Sequence, residues 1–291
     1  MTRTKATAIG AIAILLWSLL AMFTVGSAPV PPFLLNSLTF GIGGLVGLGW
    51  IAFSGGFDQL RGVGWKVYAF GSLGLFGYHF LYFSALRLAP AAEAGLICYL
   101  WPLLIVLLSG LLPGERLTWM HVLGALLSFA GTTILILGRG QTTANETAVV
   151  GFVLAGCAAL TWALYSILSR RLGQVPTASV AVFCLITAAL SVVCHMALEQ
   201  TLWPVGMTGW FSVLALGVGP VGLAFYVWDV GVKKGDIQLL GVGSYAAPLL
   251  STLALILAGF AQATKTISLA ALLITAGAAL AAYGSARARQ P

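Results

Sequence analysis

Tyr78, His79, Tyr82 and Phe83 fall close together within one apolar run, at spacings that gather them on a single stripe of an α-helix. Two phenols, an imidazole and a phenyl ring make a recognition surface rather than a reactive one. The rings stack, and the hydroxyls and ring nitrogens need polar partners wherever water is excluded. A second constellation repeats. Gly95, Tyr99 and Pro102 form a Gly-x3-Tyr-x2-Pro pattern that returns 146 positions later as Gly241, Tyr245 and Pro248. These positions also share one helical face. They add Tyr99, Trp101, Ser244 and Tyr245 to the candidate contacts, and Trp17 (with Ser18 beside it) and Trp162 complete the set. On an ideal helix Tyr99 and Trp101 point about 200° apart, so both reach one pocket only if the helix unwinds. Pro102 removes an amide and crowds the carbonyl before it, which permits such unwinding. Tyr99 is the stronger candidate of the two. Pro102 and Pro248 are candidate hinges, or static kinks that shape a cavity.

What is missing narrows the chemistry. Asp58, Glu115, Glu146, Glu199 and Asp236 lie in or beside expected loops, and Glu93 opens a helix. Asp229 stands near a helix end, where Lys233 at i+4 can pair with it. His79, His121 and His195 lie on separate helices without metal-ligand spacing, and the cysteines Cys98, Cys157, Cys184 and Cys194 sit in apolar runs without a CxxC. No metal or cofactor is expected, and an embedded enzyme is a distant alternative. No GxxxxGK[ST] phosphate loop occurs. The net charge of +7 arises from residues scattered at helix ends, unlike the gathered patch of a nucleic-acid binder.

The elements that must position these side chains are membrane helices. Only 7% of the 291 residues are charged and 60% are hydrophobic, which excludes an ordinary soluble domain. Apolar runs of about 20 residues suffice to cross the hydrocarbon core. Breaks at Gly, Pro and charge clusters give spans near 6–25, 33–53, 64–86, 91–112, 119–138, 149–168, 177–198, 208–231, 237–258 and 266–286. The first run exceeds the length of a signal-peptide core and is read as a retained helix. The most hydrophilic connection, 139–148, divides the chain into halves 1–138 and 149–291. With a cytoplasmic N-terminus, eleven Lys and Arg face inward (Arg3, Arg116 and Arg170 among them), against Arg87, Arg139 and Lys265 outward. That bias supports ten spans with both termini cytoplasmic. The repeat continues at the same offset: Leu123, Ala125, Leu126 and Leu127 match Leu269, Ala271, Leu272 and Leu273, and Gly131 and Gly138 match Gly277 and Gly284. An odd number of spans per half makes the repeats inverted, a recurring plan of transporters that bind substrate between the halves.

Several of these residues carry a family resemblance over nearly the whole chain. Trp17-Ser18 stands in span one, Trp162-Ala163-Leu164-Tyr165 followed by Arg170-Arg171 around span six, and Gly114-Glu115-Arg116-Leu117-Thr118 after span four. In order and spacing the chain resembles the drug/metabolite transporter superfamily in its ten-helix form with two EamA-type repeats. The Tyr78-His79 pair and the Tyr99-x-Trp101-Pro102 run make it most similar to the YddG group of amino-acid exporters. The second half departs from the pattern where Glu115 would recur, because position 261 is Ala and Gln262 follows. The resemblance implies export of amino acids, aromatic or hydrophobic, and related metabolites at the inner membrane. A multidrug carrier, or a nucleotide-sugar or organic-phosphate carrier, are the alternatives within the same superfamily.

The residues themselves favour a neutral or zwitterionic amphiphile, since a permanent cation wants a buried carboxylate and a phosphate wants clustered Lys or Arg. The partners expected are the small-molecule substrate and the lipid bilayer, with no nucleic acid and with a monomer as the working unit. Deep in the membrane only His79 is of a residue type whose ordinary titration range lies near neutral pH, and a lone histidine serves more readily as a hydrogen-bonding group than as a relay. Transport is therefore expected to follow gradients without proton coupling. A pH probe sealed in proteoliposomes should register no substrate-driven proton movement; such movement, abolished by His79→Gln, would contradict this.

Overall fold

The computed structural model describes residues 1–54, 56–137, 148–257 and 264–288, and every regular element among them is helical. Ten spans follow in order. Span one is Arg3–Ser18 with Leu20–Gly26, span two Pro32–Phe53 and span three Trp65–Leu88. Span four is Ala91–Cys98 with Trp101–Ser109, and span five is Trp119–Leu137. Span six is Ala148–Arg171 and span seven Ser179–Leu198. Span eight is Gly206–Val218 continued through a π-helical turn, Gly219–Leu223, into Ala224–Lys234. Span nine is Ile237–Gly243 with Ala246–Leu257, and span ten is Lys265–Ala288. The limits differ from those expected by at most three residues, as where span six runs on to Arg171. The connection 139–148, Arg139, Gly138, Ala261 and Gln262 fall wholly or almost wholly outside the described residues.

Eight helical stretches are long and apolar enough to cross a membrane. Span four falls short because its helix is broken after Cys98. Span three has the length, but its tyrosines, glycines and His79 dilute its apolar content. Those are the residues singled out as chemical.

Three spans break near their middles, each for a local reason. In span one the Ser18 hydroxyl donates back to the Leu15 carbonyl at 2.6 Å, and the Leu19 amide bonds three residues back instead of four. In span four Pro102 offers no N–H to the Cys98 carbonyl, and the Leu100 amide turns to Ile97. In span nine Pro248 leaves the Ser244 carbonyl without its usual donor, and the Ala247 amide, 3.1 Å away, takes that place. The breaks in spans four and nine fall at matching places in the repeat, just ahead of the two prolines.

The halves interlock through their spans. The broadest packing is of span five on ten, two on seven, three on six and one on eight. Exchanging the halves turns the three–six pair into the eight–one pair and maps the other two onto themselves. This is the pattern of a two-fold axis relating the repeats. Small residues allow the close approaches. A Cβ on Gly124 would stand 2.5 Å from the Gly277 carbonyl oxygen, and one on Gly277 would stand 2.4 Å from that of Gly124. Gly277→Val should therefore destabilise the fold by about 1–3 kcal/mol. Gly49→Val, where a Cβ meets nothing within 4 Å, should be tolerated. Thermal unfolding in detergent measures both.

Candidate functional site

A cavity of about 580 Å³ lies between the halves. Its walls are built by Trp17 of span one, Asn36 and Thr39 of span two, Tyr78, His79, Tyr82 and Phe83 of span three, Cys98, Tyr99 and Trp101 of span four, Trp162 of span six, and Leu216, Pro220 and Phe225 of span eight. It reaches the loop joining spans one and two at Ala28–Val30. No Asp, Glu, Lys or Arg lines it among the described residues.

The floor is an aromatic cluster with Trp17 at its centre. Its ring lies 6.0 Å from Trp101, 5.9 Å from Trp162, 6.3 Å from Phe225 and 5.0 Å from Trp228, mostly edge to face. Trp17 stands in the last turn of the first half-helix of span one, so the break at Leu19 carries the chain past this cluster. Trp228 lies beneath, fully buried, with its indole N–H donated to the Ser166 hydroxyl at 3.1 Å. Along one wall Tyr78 and Tyr82, one turn apart, stack nearly parallel with centroids 5.9 Å apart, and Tyr78 leans on Trp162 at 5.4 Å. The His79 ring meets Phe40 edge-on at 5.0 Å, and its Nδ1 lies 2.8 Å from the Leu75 carbonyl oxygen.

The structure divides the residues proposed from sequence. Tyr78, His79, Tyr82, Tyr99, Trp101, Trp17 and Trp162 share the cavity. Trp101 joins Tyr99 there because the helix turns between Cys98 and Trp101, which removes the 200° separation of an ideal helix. Ser244 and Tyr245 are fully buried outside the cavity lining. The Ser244 hydroxyl donates to the Leu240 carbonyl, and the Tyr245 hydroxyl accepts the Leu103 amide at 3.1 Å. That amide lies in the first turn after the break in span four, where helical partners are missing, so Tyr245 of one repeat helps complete the broken helix of the other. Pro102 stands in the first turn of the second half-helix of span four, and Pro248 in that of span nine.

Sequence reasoning missed Asn36, Thr39, Phe225 and Pro220. The available signals were Asn36 as a lone amide in an apolar helix, and Phe225 and Trp228 one turn apart on span eight. Trp50, Trp65, Trp119, Trp203 and Trp210, all near helix ends, are exposed, as rings anchoring helix ends at a membrane interface would be.

Away from the mouth the molecule is sealed. Gly10 of span one meets Gly231 of span eight so closely that a Cβ on Gly10 would stand 2.8 Å from the Gly231 Cα. Around this contact the Glu115 carboxylate accepts Arg3 Nη2 at 2.8 Å and Arg170 Nη2. Arg170 also donates to the carbonyls of Val232 and Gly235, at 2.8 and 2.9 Å. Asp236 lies 3.8 Å from Arg3, its carboxylate accepts the Leu239 amide, and its own amide donates to the Thr7 hydroxyl at 2.8 Å. Near span eight's same end, Lys233 and Asp229 form the expected i, i+4 pair at 2.8 Å, both buried. At the opposite end the buried Glu199 carboxylate accepts the amides of Phe33 and Leu34, Arg87, and the Nδ1 of His195 when that nitrogen is protonated. This joins spans two, three and seven at the start of span two, where an acid suits the helix N-terminus. Removing one partner of a buried ion cluster strands the others, at a cost of about 3–5 kcal/mol. Glu115→Ala should therefore lower the unfolding midpoint sharply. Asp58→Ala, which breaks a pair with Arg61 that is largely in water, should leave it unchanged.

Comparison with known proteins agrees with this architecture. A model of the EamA-like transporter family matches residues 4–137. A protein of Ancylobacter novellus named aromatic amino acid exporter YddG is 56% identical over 284 residues, covering 97% of this chain and 98% of that protein. The Escherichia coli protein of the same name is 29% identical over 263 residues, covering 87% and 88%. A crystal structure superposes with a TM-score of 0.92 at 54% identity, over 97% of this chain and 99% of the other.

Proposed function

The chain belongs to the EamA-like transporter family and is a multi-pass membrane protein, and on that premise we propose that it exports aromatic amino acids and related amphiphilic metabolites. One observation carries the substrate class: an uncharged cavity with an aromatic floor, walled by tyrosines, an imidazole and an amide. Its volume, about 580 Å³, falls within the range of small-molecule pockets. An aromatic side chain gains by stacking among Trp17, Trp101 and Trp162, and the zwitterionic end meets the polar groups above them. A cationic drug would lack a carboxylate to pair with, and a nucleotide sugar would lack the Arg or Lys its phosphates need.

Transport in this reading is alternating access. The termini and the Arg3–Glu115–Arg170 cluster face the cytoplasm, so the cavity as described is open outward and sealed inward. Opening inward requires the first half of span one to part from spans eight and nine, breaking the Arg3 contacts and the Gly10–Gly231 seam. The half-helices beginning near Pro102 and Pro248 give spans four and nine the freedom to follow. With no acid lining the cavity among the described residues, the cycle in this reading runs on the substrate gradient.

The test is counterflow in proteoliposomes with a panel of amino acids, sugar nucleotides and cationic drugs. Labelled phenylalanine and tryptophan should exchange saturably. Trp162→Ala removes a floor ring and should raise the half-saturation concentration by at least about tenfold, as expected from losing about 1.5–3 kcal/mol of buried aromatic contact. Exchange of organic phosphates alone would overturn the proposal.

A further inference from the structure

Among the described residues the cavity has no charge with which to hold a substrate's polar end, and two of its side chains have their hydrogen-bonding direction fixed by the protein. Asn36 is 4% exposed and lines the cavity from span two. Its Nδ2 donates to the Ser191 hydroxyl at 2.7 Å, and that hydroxyl donates to the Thr187 carbonyl at 2.7 Å. A hydroxyl has one proton to give. Ser191 has given it to a carbonyl, so it can only accept from Asn36. The amide nitrogen is thereby held toward span seven, and Oδ1 is left for the cavity.

His79 is fixed in the same way. Its Nδ1 lies 2.8 Å from the Leu75 carbonyl oxygen, and a carbonyl only accepts. The neutral ring therefore carries its proton on Nδ1 and presents Nε2 as a bare acceptor. The two groups are neighbours through Phe40. Phe40 stands one helical turn below Asn36 on the same face and meets the His79 ring at 5.0 Å. Both residues line the cavity.

We infer that Asn36 Oδ1 and His79 Nε2 form an ammonium-recognition subsite of neutral acceptors, which orients the substrate with its aromatic ring on the Trp17 floor and its amino group toward span two. The inference rests on the reading of the cavity as an amino-acid site. An ammonium has three donors to share between the two acceptors and water. A substrate lacking the amino group leaves both acceptors facing it unpaired, and sites built to bond a polar group discriminate strongly against analogues without it. Because the acceptors are neutral, an ammonium binds without the tight ion pair that would slow its release.

Competition against labelled phenylalanine counterflow tests this with two analogues. Phenylethylamine keeps the amine and lacks the carboxylate; 3-phenylpropionate keeps the carboxylate and lacks the amine. The wild-type protein should be inhibited by phenylethylamine at concentrations within a few-fold of unlabelled phenylalanine, and by 3-phenylpropionate only at concentrations at least about tenfold higher. Asn36→Leu should raise the half-saturation concentration for phenylalanine about tenfold and leave inhibition by 3-phenylpropionate unchanged. Asn36→Asp should keep or strengthen phenylethylamine inhibition. The inference is overturned if 3-phenylpropionate competes as well as phenylethylamine, or if Asn36→Leu weakens both analogues equally. Phenylalanine exchange without discrimination sinks this subsite alone, whereas absence of phenylalanine exchange sinks the amino-acid reading and the subsite with it.

Discussion

Within a bilayer, a backbone group or charge removed from water must find its partner inside the protein, and this requirement organises the whole molecule. A break in a helix strands amides and carbonyls. Here the stranded groups are met by tighter turns, by neighbouring hydroxyls or by the other repeat, as when Tyr245 receives the Leu103 amide at 3.1 Å. The carboxylates obey the same rule. Glu115 is shared between two arginines from different spans, and Glu199 closes the start of span two while pairing with Arg87. The described polar groups of the cavity walls are uncharged, so emptying the cavity would expose no buried ion.

The consequence is a protein with unequal ends. One end is closed by backbone-to-backbone contact at Gly10 and Gly231 and by the charges around Glu115. The other admits the cavity as far as the Ala28–Val30 loop. Trp17 connects the two regions, since it lies in the last turn of the half-helix that forms the seal and stands at the centre of the aromatic floor. Any motion of that half-helix displaces the surface on which a substrate would rest. In the proposed cycle, opening of the seal and release of a bound ring would therefore be coupled through Trp17.

Much of this was legible in the sequence. Span lengths and charge bias gave ten helices within three residues of their limits, because a bilayer imposes length and polarity so strictly. The breaks in spans four and nine were marked by Pro102 and Pro248. The aromatic stripe of span three was legible because its polarity was conspicuous in an apolar helix. What stayed hidden was the direction of side chains that depend on tertiary packing. Tyr99 and Tyr245 occupy equivalent positions, yet one lines the cavity and the other is sealed behind it as a hydrogen-bond acceptor. Their sequence neighbourhoods do not tell the two apart. Asn36 stood out as a lone amide in an apolar helix, but the direction of its side chain was hidden because it is set by Ser191, 155 positions away. The ion cluster was only half visible: the family pattern flagged Glu115 and Arg170, but their meeting with Arg3 and Asp236 depends on how five spans converge.

The central claim is that the sealed end must open for the cavity to reach the cytoplasm, and side-specific labelling tests it most directly. A single cysteine placed at Tyr82, in a background with Cys98, Cys157, Cys184 and Cys194 replaced by alanine, reports which side of the membrane reaches the cavity. A membrane-impermeant thiol reagent should modify it from the outer face. When Gly10→Leu wedges span one away from span eight, modification should shift to the cytoplasmic face, and excess phenylalanine should protect the cysteine in both cases. Continued labelling from the outer face alone in the wedged protein, with transport intact, would contradict the account.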